Sequence, residues 1–265
     1  MDKTVWGEQI FIDSNAGAIA ASLHRPEQAT APKAVVVLLH GLGGNRHEHN
    51  GIFTRLSAHL AQDGFVAIRF DFLGNGESAH ESDFMTLETM KADVEAVFSF
   101  VRREFGELPE YILGLSLGGL LAAVVASSKQ NLSGVVLWEP PYHLIRTLRR
   151  LYGPMAIDRV RVRGYLQAGM LKLSKEFVEQ YDALDAGPVA GMIPSPVLLV
   201  QGDADTVVTM DDAALWKEAF GGKDDFELTV VEEADHAFSS ESHALEVIEL
   251  TNRFIKSVQQ ARIED

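Results

Sequence analysis

Short apolar runs separated by longer amphipathic patterns limit most strongly how this chain can fold. Val35–Leu39 is a continuous, largely β-branched run, which is typical of a strand buried on both faces. Similar runs cover residues 65–70, 111–115, 135–138, 197–200 and 226–231. Between them, apolar residues recur every three or four positions, as they do over residues 87–105, and this spacing predicts helices. Strands that alternate with helices predict a mostly parallel sheet with helices on both faces.

Two further runs near the start of the chain bring the predicted strands to eight. Residues 5–12 and 19–23 are expected to pair antiparallel through Asn15-Ala16-Gly17. The predicted fold class is therefore α/β, with a mostly parallel eight-stranded sheet. Such a sheet carries its chemistry in the loops at the carboxyl ends of its strands, so functional motifs should follow strands.

Residues 140–194 do not show this alternation of strand and helix patterns. They show no clear strand signal, and prolines and glycines punctuate a weakly helical sequence. We expect a small cap or lid inserted over the carboxyl edge of the sheet. The whole chain, residues 1–265, is otherwise expected to form a single domain, because this length is at the upper end of what one hydrophobic core can serve.

Composition excludes several classes of function. The net charge of −15 disfavours nucleic acid and anionic membranes as partners. The chain has no cysteine, so disulfides, thiolate metal sites and cysteine nucleophiles are excluded. Neither a signal-peptide pattern nor an apolar run of about 20 residues is visible, so we expect a cytoplasmic protein without a membrane span.

A serine nucleophile is predicted at the end of the strand at 111–115. The sequence Gly114-Leu115-Ser116-Leu117-Gly118 follows that strand and precedes a helix pattern, which is the setting that the G-x-S-x-G motif requires. The serine must occupy a sharp turn, and the glycines let strand and helix approach without a clashing Cβ. An ordinary strand-to-helix turn is the simpler interpretation of these residues, but their context favours the nucleophile.

A glycine-rich turn after the strand Val35–Leu39 is the candidate oxyanion hole. In His40-Gly41-Leu42-Gly43-Gly44, the N–H of Leu42 is the first expected donor, and the N–H of Leu117 is the second. A phosphate-binding loop is disfavoured, because the lysine and the glycine spacing of such loops are missing. His40 is expected to support the loop by hydrogen bonding.

An acid and a base follow two later strands. Asp203 and Asp205 follow the strand at 197–200, and His236 follows the strand at 226–231. We favour Asp205 as the acid that orients His236, with Asp203 capping the loop. The remaining histidines are expected at the surface or in helices: His24, His47, His49, His59, His80, His143 and His243. A metal site at His47-Glu48-His49 is disfavoured by its spacing, so neither a metal nor a cofactor is expected.

Five motifs together resemble the α/β-hydrolase superfamily: HGLGGNRHEHN, RFDFLGNGES, GLSLGG, GDADTVV and ADHAFSS. The chain is especially similar to small bacterial cinnamoyl/feruloyl-esterase-like serine esterases, from about Trp6 to Phe254. The resemblance implies Ser116, Asp205 and His236 as a catalytic triad.

The same resemblance also implies roles for flanking residues. It assigns Leu42 and Leu117 as oxyanion donors, and residues 71–78 as a structural loop without chemistry. One departure is Leu115, where the family commonly has histidine, and it changes the hydrogen bonding expected beneath the nucleophile.

The predicted cap is rich in arginine. Six arginines and one acid lie between Tyr142 and Tyr165: Arg146, Arg149, Arg150, Arg159, Arg161 and Arg163, with Asp158. They could attract an anionic acyl chain or pair with the acidic body of the protein, and we favour the second interpretation. Tyr152, Tyr165 and Met170 are the candidates for lining an acyl or aromatic pocket, although they could equally be the packing of the cap itself.

These observations predict a serine esterase that hydrolyses carboxylic esters through an acyl-enzyme, with cinnamoyl/feruloyl or short-to-medium acyl esters as substrates. The alternatives are an acyl thioesterase or C–C bond hydrolase with the same triad, or a non-catalytic ligand-binding member of the fold. The expected partner is a small-molecule ester, and a homodimer is the assembly to consider.

Overall fold

A computed structural model describes residues 7–26 and 31–264. The strands are β1 (Glu8–Ser14), β2 (Gly17–His24), β3 (Val35–Leu39), β4 (Val66–Phe70), β5 (Glu110–Leu115), β6 (Leu132–Trp138), β7 (Tyr165–Ala168), β8 (Leu171–Ser174), β9 (Val197–Gly202) and β10 (Phe226–Val231). The α-helices are α1 (Ile52–Gln62), α2 (Leu87–Phe105), α3 (Leu117–Ser128), α4 (Leu144–Tyr152), α5 (Ala156–Arg163), α6 (Lys175–Asp182), α7 (Ala186–Met192), α8 (Met210–Phe220) and α9 (Glu241–Glu264).

The predicted eight-stranded sheet is confirmed. Its strand order is β1-β2-β4-β3-β5-β6-β9-β10. β2 pairs antiparallel with both β1 and β4, and the remaining neighbours are parallel. The carboxyl ends of β3, β5, β6, β9 and β10 therefore meet along one edge, where the motifs found in the sequence are located.

Helices cover both faces of the sheet, because alternate residues of each central strand face opposite cores. On β3, Val35, Val37 and Leu39 pack in the core that contains α2, α3 and α8. Val36 and Leu38 pack in the core that contains α1 and α9. β10 lies at the edge of the sheet and is only partly buried, in contrast to the fully buried strand predicted there.

Two sequence predictions are corrected. Residues 140–194 contain a hairpin, β7 and β8, although no strand is predicted there. His24 is not a surface or helix residue, because it lies in β2 with an exposed fraction of 3%. The first two residues of the strand predicted at 5–12 lie outside the described residues.

The segment between β6 and β9 carries α4 to α7 and the hairpin. It contacts the rest of the chain at several points: the N–H of Tyr142 donates to Asp212 Oδ1 at 3.0 Å, and Lys172 Nζ lies 3.2 Å from Asp83 Oδ2. Over residues 7–26 and 31–264, no helix has both the length and the apolar character needed to cross a membrane.

Candidate active site

Ser116 occupies the turn between β5 and α3. Its φ of 54° and ψ of −120° lie in a region that residues other than glycine rarely adopt. Two backbone bonds hold this turn: the Ser116 N–H donates to Trp138 O at 2.8 Å, and the Leu120 N–H donates to Ser116 O at 3.0 Å. The side chain is therefore presented at the carboxyl edge of the sheet by a strained backbone that both neighbouring elements support.

The two glycines of the motif have the steric role that the sequence predicts. A Cβ on Gly114 would lie 2.0 Å from Gly118 O, and a Cβ on Gly118 would lie 2.1 Å from Leu39 O. Real Cβ atoms do not approach backbone oxygens this closely, so α3 can pass beside β3 and β5 only when both positions lack a side chain.

Three polar side chains from different loops form one hydrogen-bonded line. His236 Nε2 lies 3.0 Å from Ser116 Oγ, and His236 Nδ1 lies 2.7 Å from Asp205 Oδ2. These contacts fit an imidazole that donates from Nδ1 to the carboxylate and accepts the serine hydroxyl at Nε2. Ser116 and His236 are partly exposed, whereas Asp205 is 5% exposed, so the acid is buried and the reactive end is open.

The two competing aspartates have different partners. Asp205 Oδ1 accepts the N–H groups of Val207 at 2.7 Å and Val208 at 2.9 Å, which leaves Oδ2 directed at His236. Asp203 Oδ1 accepts the N–H of Glu233 at 2.6 Å. Asp205 therefore contacts the imidazole, and Asp203 joins the loop after β9 to the loop that carries His236.

The glycine-rich loop after β3 lies against the serine. A Cβ on Gly41 would lie 3.3 Å from Ser116 Cβ. The Gly41 N–H donates to Glu48 Oε1 at 2.5 Å, and the Gly44 N–H donates to Gly41 O at 3.1 Å. Within the described part of the chain, no hydrogen bond from the N–H of Leu42 or Leu117 is found. The oxyanion role expected for these two N–H groups stays a prediction.

Residues of the loop at 71–78 hold this glycine-rich loop through hydrogen bonds and an ion pair. Asn75 Nδ2 donates to Gly44 O at 2.7 Å. His40 Nδ1 lies 2.8 Å from Gly41 O, and His40 Nε2 accepts the Phe72 N–H at 3.3 Å. Asp71 is ion-paired with Arg46. These contacts agree with a structural rather than a chemical role for His40.

Glu139 is a residue of this site that the sequence analysis missed. It directly follows β6, it is fully buried, and its Oε2 lies 3.3 Å from His236 Nδ1. Its Oε1 accepts the Gly202 N–H at 3.1 Å. Burial and then the negative charges of Asp205 and Asp235 raise the pKa of Glu139 well above its ordinary value. The signal that could have found it is the one used for Asp205: an acid directly after a buried parallel strand.

Among residues 7–26 and 31–264, Glu139, Asp205 and His236 are the group whose ligand atoms are close enough to hold a metal ion. Their ligand atoms lie within 4.8 Å of one another. A cation there would compete with the proton that His236 Nδ1 shares with Asp205 at 2.7 Å. The contacts present therefore fit a hydrogen-bonded triad better than a metal centre.

The three pocket candidates in the predicted cap differ in their surroundings. Met170 lies in the turn between β7 and β8 and is 99% exposed. The ring of Tyr165 lies beneath Lys172 Nζ, 5.1 Å from the ring centroid. Tyr152 ends α4 and is exposed. A role for any of them in substrate binding stays a prediction.

Three of the six arginines between Tyr142 and Tyr165 form ion pairs. Arg146 and Arg150 contact Asp211 and Asp212 of α8 at 3.6 and 3.9 Å, and Arg149 contacts Asp158 at 3.2 Å within the cap. Arg150 also donates to Val207 O, beside Asp205. Arg159, Arg161 and Arg163 are exposed. The pairing of Arg146 and Arg150 with Asp211 and Asp212 supports the interpretation that the arginines of this segment pair with the acidic body of the protein.

Comparison with known proteins defines the class. The chain is similar in fold to Est1E from Butyrivibrio proteoclasticus, solved with bound ferulic acid, with a TM-score of 0.75, 18% identity, and coverage of 96% of this chain and 98% of that one. The fold is that of the α/β-hydrolase superfamily, as the sequence motifs imply.

The family is defined by a match to residues 30–183, more than half of the chain. The chain belongs to the serine hydrolase family described as serine aminopeptidase, S33.

Two curated relatives match over part of their length. Esterase EstD from Thermotoga maritima is 25% identical over 253 residues, covering 81% of this chain and 58% of EstD. Monoglyceride lipase from Rattus norvegicus is 29% identical over 114 residues, covering 41% of this chain and 35% of the lipase. The chain thus spans less than two thirds of the length of either relative.

Proposed function

We propose that the protein is a serine esterase in which Ser116, His236 and Asp205 form the catalytic triad. The observation that carries this proposal is the continuous line from Asp205 Oδ2 to His236 Nδ1 at 2.7 Å, and from His236 Nε2 to Ser116 Oγ at 3.0 Å. Membership of a serine hydrolase family and similarity to esterases support it.

In the proposed reaction, Ser116 Oγ attacks the ester carbonyl carbon while its proton passes to His236 Nε2. Asp205 holds the imidazole in the tautomer that can accept this proton and stabilises the imidazolium that forms. His236 then protonates the departing alkoxide, which leaves an acyl-serine. Water repeats the same steps on the acyl-enzyme and releases the acid.

The N–H groups of Leu42 and Leu117 are the proposed oxyanion donors. Leu117 is the first residue of α3, so its N–H lies at the positive end of the helix dipole. Leu42 follows Gly41, which packs against Ser116. Preorganised donors of this kind stabilise the negative charge that develops on the carbonyl oxygen, typically by about 3–4 kcal/mol for each donor.

We further propose that the chain is one domain in which residues 140–194 cap the site and select the acyl group. Hydroxycinnamoyl and short-to-medium acyl esters are the first substrates to test, because Est1E was solved with ferulic acid and EstD is an esterase. Monoacylglycerols follow from the match to monoglyceride lipase.

The decisive experiment is labelling with a fluorophosphonate probe, followed by identification of the modified peptide. We expect one adduct on Ser116 and none in Ser116→Ala, with a loss of ester turnover of about 10⁶-fold. Ser99→Ala is the matched control, because Ser99 is an exposed serine of α2. Equal labelling of wild-type protein and Ser116→Ala would refute the proposal.

A substrate panel separates the related activities. Acetyl to decanoyl p-nitrophenyl esters, feruloyl esters, acyl-CoA and an aminoacyl anilide are compared by kcat/KM. The proposal expects esters to be the preferred class. A preference for the thioester or the anilide would keep the triad but reassign the substrate.

A further inference from the structure

We propose that Glu139 is a second orienting acid for His236, placed to hold the imidazole Nδ1–H when Asp205 does not. The inference rests on the proposed function, because the orientation of His236 affects turnover only if His236 acts as the base. Its starting point is a carboxyl that the hydrolytic mechanism leaves without a role.

Each of two adjacent strands is followed by an acid whose carboxyl lies near His236 Nδ1. β6 and β9 are parallel neighbours, with Trp138 paired with Val200, and an acid follows each of them. Asp205 Oδ2 lies 2.7 Å from His236 Nδ1 and Glu139 Oε2 lies 3.3 Å from it. A small movement of the imidazole is therefore enough to exchange one acceptor for the other.

The backbone and one oxygen of Glu139 are fixed, and the other oxygen is directed at the ring. The Glu139 N–H donates to Val200 O at 2.8 Å, and its Oε1 accepts the Gly202 N–H at 3.1 Å. Oε2 is buried, and no described residue forms a hydrogen bond with it. The residue also has a φ of 48°, which is rare outside glycine. Buried unsatisfied atoms and strained backbones both cost free energy and cluster at functional sites.

The charges around Glu139 explain why Asp205 is the acceptor in the intact site. Glu139 faces Asp205, Asp235 and His236, and burial followed by the two aspartates raises its pKa well above the ordinary value. Two carboxyls beside one ring do not ionise together easily, so the carboxylate form of Glu139 is disfavoured while Asp205 Oδ2 accepts the Nδ1–H at 2.7 Å. When the charge of Asp205 is removed, one cause of the raised pKa disappears, and Glu139 ionises at lower pH.

The test is a double-mutant cycle with Asp205→Asn and Glu139→Gln, using p-nitrophenyl acetate as the substrate. In a triad with one acid, this Asp→Asn change costs about 10⁴-fold in kcat. Here we expect D205N to lose only about 10- to 100-fold, and D205N/E139Q to lose a further ~100- to 1000-fold, so that the double variant reaches the one-acid level of about 10⁴-fold. E139Q alone should lower kcat/KM by about two- to fivefold, because an amide N–H then faces the imidazole N–H.

The matched control is Glu110→Gln in the D205N background. Glu110 is also a buried glutamate, but it begins β5 and pairs with Arg102 at 2.7 Å. D205N/E110Q should retain the activity of D205N. Equal activities of D205N and D205N/E139Q would overturn the proposal. D205A replaces D205N in the cycle if circular dichroism shows that D205N does not fold.

Two further readouts exclude a merely structural role for Glu139. The activity of D205N should rise with pH as Glu139 ionises, and this rise should be absent from D205N/E139Q. ¹⁵N NMR of His236 should show the proton on Nδ1 in D205N and on Nε2 in D205N/E139Q. The NMR result does not require turnover, so it decides the role of Glu139 even if the wild-type protein fails to hydrolyse esters. A proton on Nε2 in D205N itself would also overturn the proposal.

Discussion

The carboxyl edge of the main sheet and the segment at 140–194 are built in different ways. At the edge, the strand ends that precede Ser116, Glu139 and the loop of Asp205 are buried, and each chemical group has a backbone contact that fixes it. In the segment, large apolar side chains face solvent, including Val162 at 89% and Met170 at 99% exposed. The contrast indicates that the proposed chemistry is held by buried, hydrogen-bonded elements, whereas the segment at 140–194 exposes more of its apolar side chains.

The largest expected effect of a change at the carboxyl edge is on activity. His236→Ala should lower kcat/KM for an activated ester by about 10⁴- to 10⁶-fold, because the serine loses its base. His59→Ala changes an exposed histidine of α1 and should leave kcat/KM within twofold of wild type, by the rule that remote surface changes are about neutral. Steady-state kinetics on folded protein measure both, and a loss below tenfold for His236→Ala would contradict the proposed site.

The next difference is in the tolerance of glycine replacement. Gly118→Ala places a Cβ 2.1 Å from Leu39 O, so we expect a loss of more than about 4 kcal/mol in the free energy of unfolding. Gly191 in α7 has nothing within 4 Å of a built Cβ, and Gly191→Ala should stabilise the protein by up to about 1 kcal/mol. Urea denaturation gives both values, and equal effects would remove the contrast in packing.

A third difference concerns buried charge and pH. Burial raises the pKa of Asp93 to about 7, although it accepts the Leu73 N–H at 2.9 Å. The pKa of Asp93 is higher in the folded protein than in the unfolded chain. Its contribution to the free energy of unfolding is therefore fully present below about pH 4, and it falls by up to about 4 kcal/mol as the pH rises to about 7.

Asp93→Asn should therefore flatten the pH dependence of the unfolding free energy across that window. Asp158→Asn in the segment at 140–194 should not, because Asp158 is half exposed and paired with Arg149. Urea titrations at pH 4.5 and 7.5 compare the two variants. An unchanged slope in Asp93→Asn would show that Asp93 is ionised in the folded protein at both pH values.

The smallest expected effect lies where the two regions touch. Arg150 of α4 donates to Val207 O, next to the loop residues that hold Asp205. Arg150→Gln should lower kcat by about three- to tenfold with little change in KM, because small displacements of an orienting group reduce turnover. Arg163→Gln changes an exposed arginine of α5 and should leave turnover of a neutral ester unaffected. A change confined to KM would place Arg150 at the substrate instead.

Much of the main sheet could be predicted because long apolar runs leave few alternatives. The bounds of β3 and β10 and of α2 match the sequence patterns. The hairpin was missed because each of its strands has only four residues. Its signal was the alternation of buried Leu166 and Ala168 with exposed Gln167, before the turn at Gly169.

The site was partly predictable for a similar reason. Motifs that follow strands identify Ser116, Asp205 and His236 by their order along the chain, and the parallel sheet brings those positions to one edge. Glu139 was missed because the strand predicted at 135–138 ends before it and the predicted cap begins after it, at residue 140, so it was assigned to neither. Its proximity to His236 depends on β6 and β9 being neighbours, which the order of residues along the chain does not reveal.

The left-handed backbone at Ser116 has a consequence for the evolution of this chain. The positive φ of Ser116 suits glycine better than serine. At this position, stability therefore favours glycine, whereas the proposed reaction needs serine. Selection for stability alone would favour glycine at this position, so a serine here is expected to persist only where the proposed nucleophile is needed.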